Sequence, residues 1–273
     1  MNQKDISVIV TTRNEEAHIE ECLKSILRQT YPQDKIEILV IDNNSSDSTK
    51  EIAGRYTENV HNFGPERSAQ RNFGVENSSG KYILYLDCDM ILSDTVLREC
   101  YDKCENEGFT ALYIPEIIIG EGFWIAVRNF ERSFYNATCI DGVRFINREA
   151  FLRIGGFDLS LTGPEDWDLN MRINQSGMSG IIDSSLYHNE GAFNLKKYLG
   201  KKVYYSHSFA NYIEKWGADD PIVKKQLGLW YRYFGVFIEN GKWKRMIRHP
   251  ILTKGMYFLR FMVGVKYMRH KLK

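Results

Sequence analysis

Gly80-Lys81-Tyr82-Ile83-Leu84-Tyr85-Leu86-Asp87-Cys88-Asp89 is the stretch that decides the fold. Tyr82 to Leu86 has the length and the apolar, aromatic residue types of a buried strand, and the turn Asn77-Ser78-Ser79-Gly80 feeds it. The run stops at two carboxylates one residue apart. In open α/β sheets ligands bind beyond the carboxyl ends of the strands, so an acidic pair at that place marks a site for chemistry.

Toward the N-terminus the same design repeats. Ile6 to Val10 and Ile36 to Ile41 read as strands, ending in Thr11-Thr12 and in Asp42. Asn14 is expected to cap a helix, with Glu15 and Glu16 in its first turn; Ile19, Leu23, Ile26 and Leu27 then recur at helical spacing, and Pro32 closes the segment. Asp42 to Ser46 is a loop, Asp47 caps a helix through about Tyr56, and Glu66 to Glu76 is another helix. Alternating strands and helices imply an α/β fold with a mostly parallel central sheet flanked by helices. Thr11-Thr12, Asp42 and Asp87/Asp89 then share one rim.

Toward the C-terminus the pattern is less regular. Strands are expected at Thr110–Pro115, Val143–Ile146 and Gly180–Asp183. Helices are expected at Gly122–Asn136, Glu165–Asn174, Leu195–Tyr212, Pro221–Phe237 and Pro250–Arg269. This divides the chain into a catalytic part, 1–192, and a helical, basic extension, 193–273.

Bulk properties narrow the function. In 273 residues the chain is 43% hydrophobic and 26% charged, ordinary for a globular protein and unlike a disordered one. Ten Lys and Arg, and no Asp or Glu, follow Glu239; they carry +10 against a total of +1, so residues 1–239 carry −9. A basic end on an acidic body suits attraction to an anionic surface, membrane or nucleic acid, with peripheral contact to an anionic membrane expected here and a helical extension packed on the catalytic part as the other reading. Lys254, Arg260 and Lys266 point in three directions around the last helix, which therefore lacks a clean polar face. Five cysteines without a Cys-x-x-Cys argue against a disulfide framework or zinc site and for reduced thiols in a cytoplasmic setting. The N-terminus lacks a signal-peptide core, and no apolar run is long enough for a membrane span.

The candidate chemistry follows from residue types. Asp87 and Asp89 can share a divalent metal, Mn²⁺ or Mg²⁺, with a diphosphate, because hard cations take oxygen ligands; isolated Asp-x-Asp also occurs in plain turns. His188 offers a further metal ligand, although a lone histidine is more often structural. Asp42 can accept an N–H from a nucleotide base, or merely shape its loop. Arg71 can contact the nucleotide, or form a surface salt bridge. Asp166, at a helix start after Gly163-Pro164, is the candidate base for deprotonating an acceptor hydroxyl, with Glu165 orienting the acceptor or a nearby loop; both would also suit a helix N-terminus electrostatically.

Together these pieces resemble the family 2 glycosyltransferases of GT-A fold. The resemblance rests on Val8 to Glu15, Cys22 to Gln29, Val40 to Thr49, Gln70 to Gly74, Gly80 to Asp89, Gly155-Gly156-Phe157-Asp158 and Glu165 to Leu169, and it covers about residues 5–192. It implies a nucleotide-diphosphate-sugar donor, a divalent metal at the Asp-x-Asp, inversion at the anomeric carbon, and Asp166 as base. It places Thr11, Asp42 and Arg71 on the nucleotide, with Asn14, Glu15 and Asp87 on the same side. Asn43 and Leu159 depart from the family's commoner Asp and Glu. The implied acceptor is a glycan or lipid-linked hydroxyl. A transferase acting on a polyprenyl phosphate is the alternative within the fold, but no acceptor-phosphate site is assignable from sequence. An inactive sugar-nucleotide binder has no need of Asp166. A dinucleotide oxidoreductase needs a Gly-x-Gly-x-x-Gly turn where Thr11-Thr12-Arg13-Asn14 stands. No nucleic-acid recognition motif is visible, so no nucleic-acid partner is expected.

Overall fold

The computed structural model describes residues 4–271. It opens with β1 (Ile6–Thr12), every residue of which is buried. Burying Ile6, Val8, Ile9 and Val10 completely contributes roughly 1.5–3 kcal/mol per side chain, which makes this a central strand. Then come α1 (Ile19–Leu27), β2 (Ile36–Asp42), α2 (Thr49–Ala53), β3 (Val60–Asn62), α3 (Arg67–Glu76) and β4 (Tyr82–Asp87). β1 lies between β2 and β4 and parallel to both, in a register that pairs Thr12 with Asp42 and Thr11 with Asp87. The strand ends read from sequence therefore do share one rim.

The chain continues through β5 (Met90–Leu92), α4 (Val96–Glu107), β6 (Ala111–Tyr113), β7 (Glu116–Glu121), α5 (Phe123–Arg132), β8 (Phe145–Asn147), α6 (Arg148–Arg153), α7 (Glu165–Ser176), β9 (Ser179–Ile181) and β10 (Leu186–Ala192). The main sheet runs β3-β2-β1-β4-β8-β6-β9, with β8 antiparallel to its neighbours. Residues alternate between its faces, as a two-residue period requires. Val8, Val10, Leu84 and Leu86 join α1 and α4 in one core. Ile9, Ile83 and Tyr85 join Val75, Phe151 and Leu169 in the other.

A second sheet, β5-β10-β7, was not foreseen. The strand expected over Thr110–Pro115 ends at Tyr113, and a separate strand follows Pro115. β10 reads Leu-Tyr-His-Asn-Glu-Gly-Ala and is mostly half-buried, so no apolar alternation announces it. Only pairing with β7 and β5 makes it a strand.

The remaining elements are helical: α8 (Leu195–Ser206), α9 (Phe209–Trp216), α10 (Pro221–Leu227), a π-helical turn at Tyr231–Gly235, α11 (Val236–Ile238), α12 (Trp243–Arg248) and α13 (Pro250–Lys271). The two long helices expected over 195–212 and 221–237 are thus each interrupted, near His207-Ser208 and at Gly228. α13 packs on α5, burying Met256 and Leu259 among Val127, Phe130, Phe134 and Phe237. A Cβ at Gly255 would lie 2.7 Å from Val127, so glycine there permits the close approach. Arg260, read from sequence as one of three dispersed basic positions, is buried and pairs with Glu131 at 3.0 Å. Lys254 and Lys266 remain exposed. Among the described residues, no helix is long and apolar enough to cross a membrane.

Candidate active site

At the rim, the loops after β1 and β2 are clasped together. Asn14 adopts a left-handed conformation, φ 53°, and its side chain accepts from the Ser46 amide at 2.8 Å. The backbone amides of Asn14, Glu15 and Glu16 donate to Ser45, Thr49 and Asp47. Asn14 is therefore a loop tie, not the helix cap expected; α1 begins five residues later, after His18. Glu15 pairs with His18 at 2.8 Å. Asp47 accepts from the Thr49 amide at the start of α2, but that helix ends at Ala53, short of Tyr56. Asp42 is fully buried, and its two oxygens take the amide and hydroxyl of Ser45. Asp42 thus shapes the loop.

α3 runs beneath the rim and supplies its cations. Gln70 donates to the carbonyls of Thr12 and Ile41, tying the helix to the ends of β1 and β2. Asn72 bonds both the amide and the carbonyl of Phe157. This explains Gly156 in the Gly155-Gly156-Phe157 turn: its φ is 67°, and a Cβ would lie 2.6 Å from the Asn72 oxygen. Arg67 and Arg71, one helical turn apart, point toward Asp87. Arg71 is 1% exposed, far from the surface salt bridge weighed above. It donates to Asp87 at 3.0 Å and to Asp166 at 3.3 Å, with its guanidinium over the Tyr85 ring at 4.5 Å. Arg67 donates to the other Asp87 oxygen at 3.3 Å and lies 3.5 Å from Glu165. Burial alone would raise the Asp87 pKa, but Arg71 and Arg67 hold it far below the usual carboxylate range.

Asp166 and Glu165 stand at the start of α7, yet their environments differ. Asp166 is half-exposed, and its Oδ1 takes Arg71 and the Tyr85 hydroxyl, each at 3.3 Å. Glu165 is buried, accepts from the Gly163 amide, and has its pKa raised by burial and by the charge of Asp166. Glu165 thus braces the Gly163-Pro164 loop.

Beyond β4, Asp89 meets β10. His188 lies between two carboxylates, with Nε2 3.2 Å from Asp89 Oδ2 and Nδ1 2.9 Å from Glu116 Oε1. Burial opposes its charge, but these two hydrogen bonds push its pKa up to about 10. Asp89 Oδ1 is buried without a hydrogen-bond partner. Such an orphan costs free energy unless something fills the place. A hard oxygen beside an imidazole suits a divalent cation once that cation displaces the Nε2 proton. Both Asp87 oxygens are engaged, by Thr11, Arg67 and Arg71. Among the described residues no three His, Cys, Asp or Glu side chains converge as a complete cage.

Sequence reading missed Arg67, Glu116 and Tyr85. Arg67 was detectable as the residue four before Arg71, on the same helical face. Glu116 lies on β7, a strand not foreseen. It is held well below its ordinary pKa, against the effect of burial, by Arg132, His188 and Arg144.

The comparisons with known proteins agree with this architecture. The family described as Glycosyl transferase family 2 matches residues 7–159. A glycosyltransferase, AglE, of Haloferax volcanii is 42% identical over 91 residues, 31% of this chain and 30% of that protein. The minor teichoic acid biosynthesis protein GgaB of Bacillus subtilis is 25% identical across 91% of this chain and 30% of its own length. The chain thus spans less than a third of either relative. Among solved structures, the mannosyltransferase PcManGT of Pyrobaculum calidifontis, in complex with GDP-Man and Mn²⁺, superposes with a TM-score of 0.63 at 19% identity, covering 98% of this chain and 85% of that one. S. aureus TarS 1–349 in complex with UDP-GlcNAc gives 0.59 at 18% identity over 85% of this chain and 73% of that one. With a family match across more than half its length and a sheet of this topology, the protein belongs to glycosyl transferase family 2 and has the GT-A fold.

Proposed function

We propose that this glycosyltransferase moves a sugar, with inversion, from a nucleotide-diphosphate donor to a hydroxyl of a glycan or lipid-linked acceptor. The observation that carries the reading is the buried Asp87–Arg71–Asp166 bridge, which fixes a half-exposed carboxylate beside the strand tip where donors bind in such sheets. Arg71 and Tyr85 occupy Asp166 Oδ1, leaving Oδ2 for a proton. Asp166 takes the acceptor hydroxyl's proton as that oxygen attacks the anomeric carbon and the bond to the donor diphosphate breaks. Arg67 and Arg71 set the potential at the donor end; Thr11 and the clasped loop of Asn14, Glu15 and Asp42 frame the nucleotide. Asp89 and His188 would hold Mn²⁺ or Mg²⁺, which supplies Lewis-acid neutralisation of the departing diphosphate. A glycan-polymer acceptor draws support from relatives whose names concern teichoic acid and poly(ribitol-phosphate).

A membrane-facing role for 193–273 is a second part of the reading, at the cytoplasmic surface of an anionic bilayer. Leu229, Trp230, Ile247, Ile251 and Phe261 are 64–76% exposed, and Lys244, Arg248, Lys254 and Lys266 are exposed among them. Apolar side chains interspersed with cations suit an anionic interface.

The test is Asp166→Asn. Calorimetric affinity for the donor should stay within about twofold, while turnover falls by roughly 10²–10⁴. Full turnover in the variant removes Asp166 as the base.

A further inference from the structure

Four cations crowd one corner where α5, α8, the π-helical turn and α13 meet: Arg128, Lys202, Arg232 and Arg260. Two carboxylates pair with them. Glu131 receives Arg128 at 2.9 Å and Arg260 at 3.0 Å, and also the Tyr135 hydroxyl at 2.6 Å. Glu190 receives the other Arg128 nitrogen at 3.1 Å. Among the described residues this leaves Lys202 and Arg232 without a carboxylate at ion-pair distance. Lys202 Nζ lies 5.5 Å from the centre of the Tyr198 ring, and the Arg232 guanidinium 5.5 Å from that of Trp167. Arg232 also donates to the Gln226 carbonyl at 3.3 Å.

Both residues are half-buried, so each charge is partly stripped of water. Burial and the charge of Arg128 push the Lys202 pKa down to about 7. Burial and Arg260 lower that of Arg232. Holding surplus positive charge in such a place is costly without a counter-ion, and an arriving anion relieves that cost. Lysine and arginine together suit phosphate, one as a point charge and one as a planar fork.

The corner borders the site on the side of Asp166. Arg232 packs on Trp167, the residue after Asp166. Glu190 lies two residues beyond His188 on β10. Tyr205, on the helix that carries Lys202, accepts a hydrogen bond from Arg67 at 3.2 Å. We infer that Lys202 and Arg232, framed by Arg128 and Arg260, bind a phosphate group carried by the acceptor. The acceptor class is then a phosphate-bearing one, either a polyol phosphate or a lipid phosphate. The assignment of the ligand as acceptor rests on the transfer reading above; the anion site itself does not.

Binding is measured by calorimetry with inorganic phosphate and with glycerol 3-phosphate, in chelator and without donor. Wild type should bind both. Lys202→Gln and Arg232→Gln should each weaken binding about tenfold or more, since each removes a charge-assisted contact, and Lys202→Arg should retain it. A wild-type protein that binds neither probe, or Gln variants that bind as wild type does, overturns the site. Vesicles of phosphatidylcholine with and without phosphatidic acid separate the sources. Lys202-dependent capture by the phosphatidic acid vesicles identifies a lipid phosphate; Lys202-dependent binding of glycerol 3-phosphate with no such capture identifies a polyol phosphate. Neither arm reads transfer, so an active Asp166→Asn enzyme refutes the base and leaves this result standing.

Discussion

The rim of the main sheet and the corner beneath α13 both bury arginines, but they neutralise them differently. At the rim, Arg67 and Arg71 meet Asp87, Glu165 and Asp166, while Arg132 and Arg144 meet Glu116 and Asp141. Nearly every charge has its opposite, so the array is assembled before any ligand arrives. In the corner, four cations face two carboxylates. The first arrangement is preorganised for catalysis, where fixed charges avoid reorganisation during the reaction. The second keeps positive charge in reserve.

That contrast predicts opposite outcomes for removing a cation. Arg71→Met leaves Asp166 without its cation and Asp87 with Arg67 alone, and breaking a buried pair in this way costs about 3–5 kcal/mol. Urea unfolding should show that loss. Lys202→Met removes a charge that has no ion-pair partner and should leave stability unchanged or raise it. Equal destabilisation by both substitutions would erase the distinction between the two regions.

A smaller effect is expected at the outer surface of the helical part. Truncation after Glu239 is a poor probe, because it would remove Met256, Leu259 and Arg260 from the packing on α5. The exposed pair Trp230→Ser with Ile247→Ser avoids that. Sedimentation with vesicles containing phosphatidylglycerol should fall about tenfold, from the apolar area no longer buried in the interface. Equal sedimentation would assign the surface to some other use.

The two regions also differ in how well sequence announces them. β1, β2 and β4 are apolar runs that end in polar residues, and their parallel register puts Thr11, Asp42 and Asp87 together, so the rim was legible from spacing. The clasp between the Asn14 and Ser46 loops was not, because it is a set of backbone-to-side-chain bonds between segments about thirty residues apart. Nor was the partner of His188, because β7 and β10 become strands only by pairing with each other. Arg260 shows the limit most plainly. Its spacing from Lys254 and Lys266 carries no sign of burial, and only the packing of α13 on α5 turns it inward toward Glu131.

The account depends most on Asp89, whose buried Oδ1 lacks a hydrogen-bond partner beside His188. Calorimetry of a nucleoside diphosphate, titrated with and without Mn²⁺ into wild type and Asp89→Ala, tests it directly. Binding to wild type should tighten sharply with Mn²⁺, and the variant should lose that increment while keeping its metal-free affinity. A variant that gains as much from Mn²⁺ as wild type does would contradict the assignment of this carboxylate to the cation.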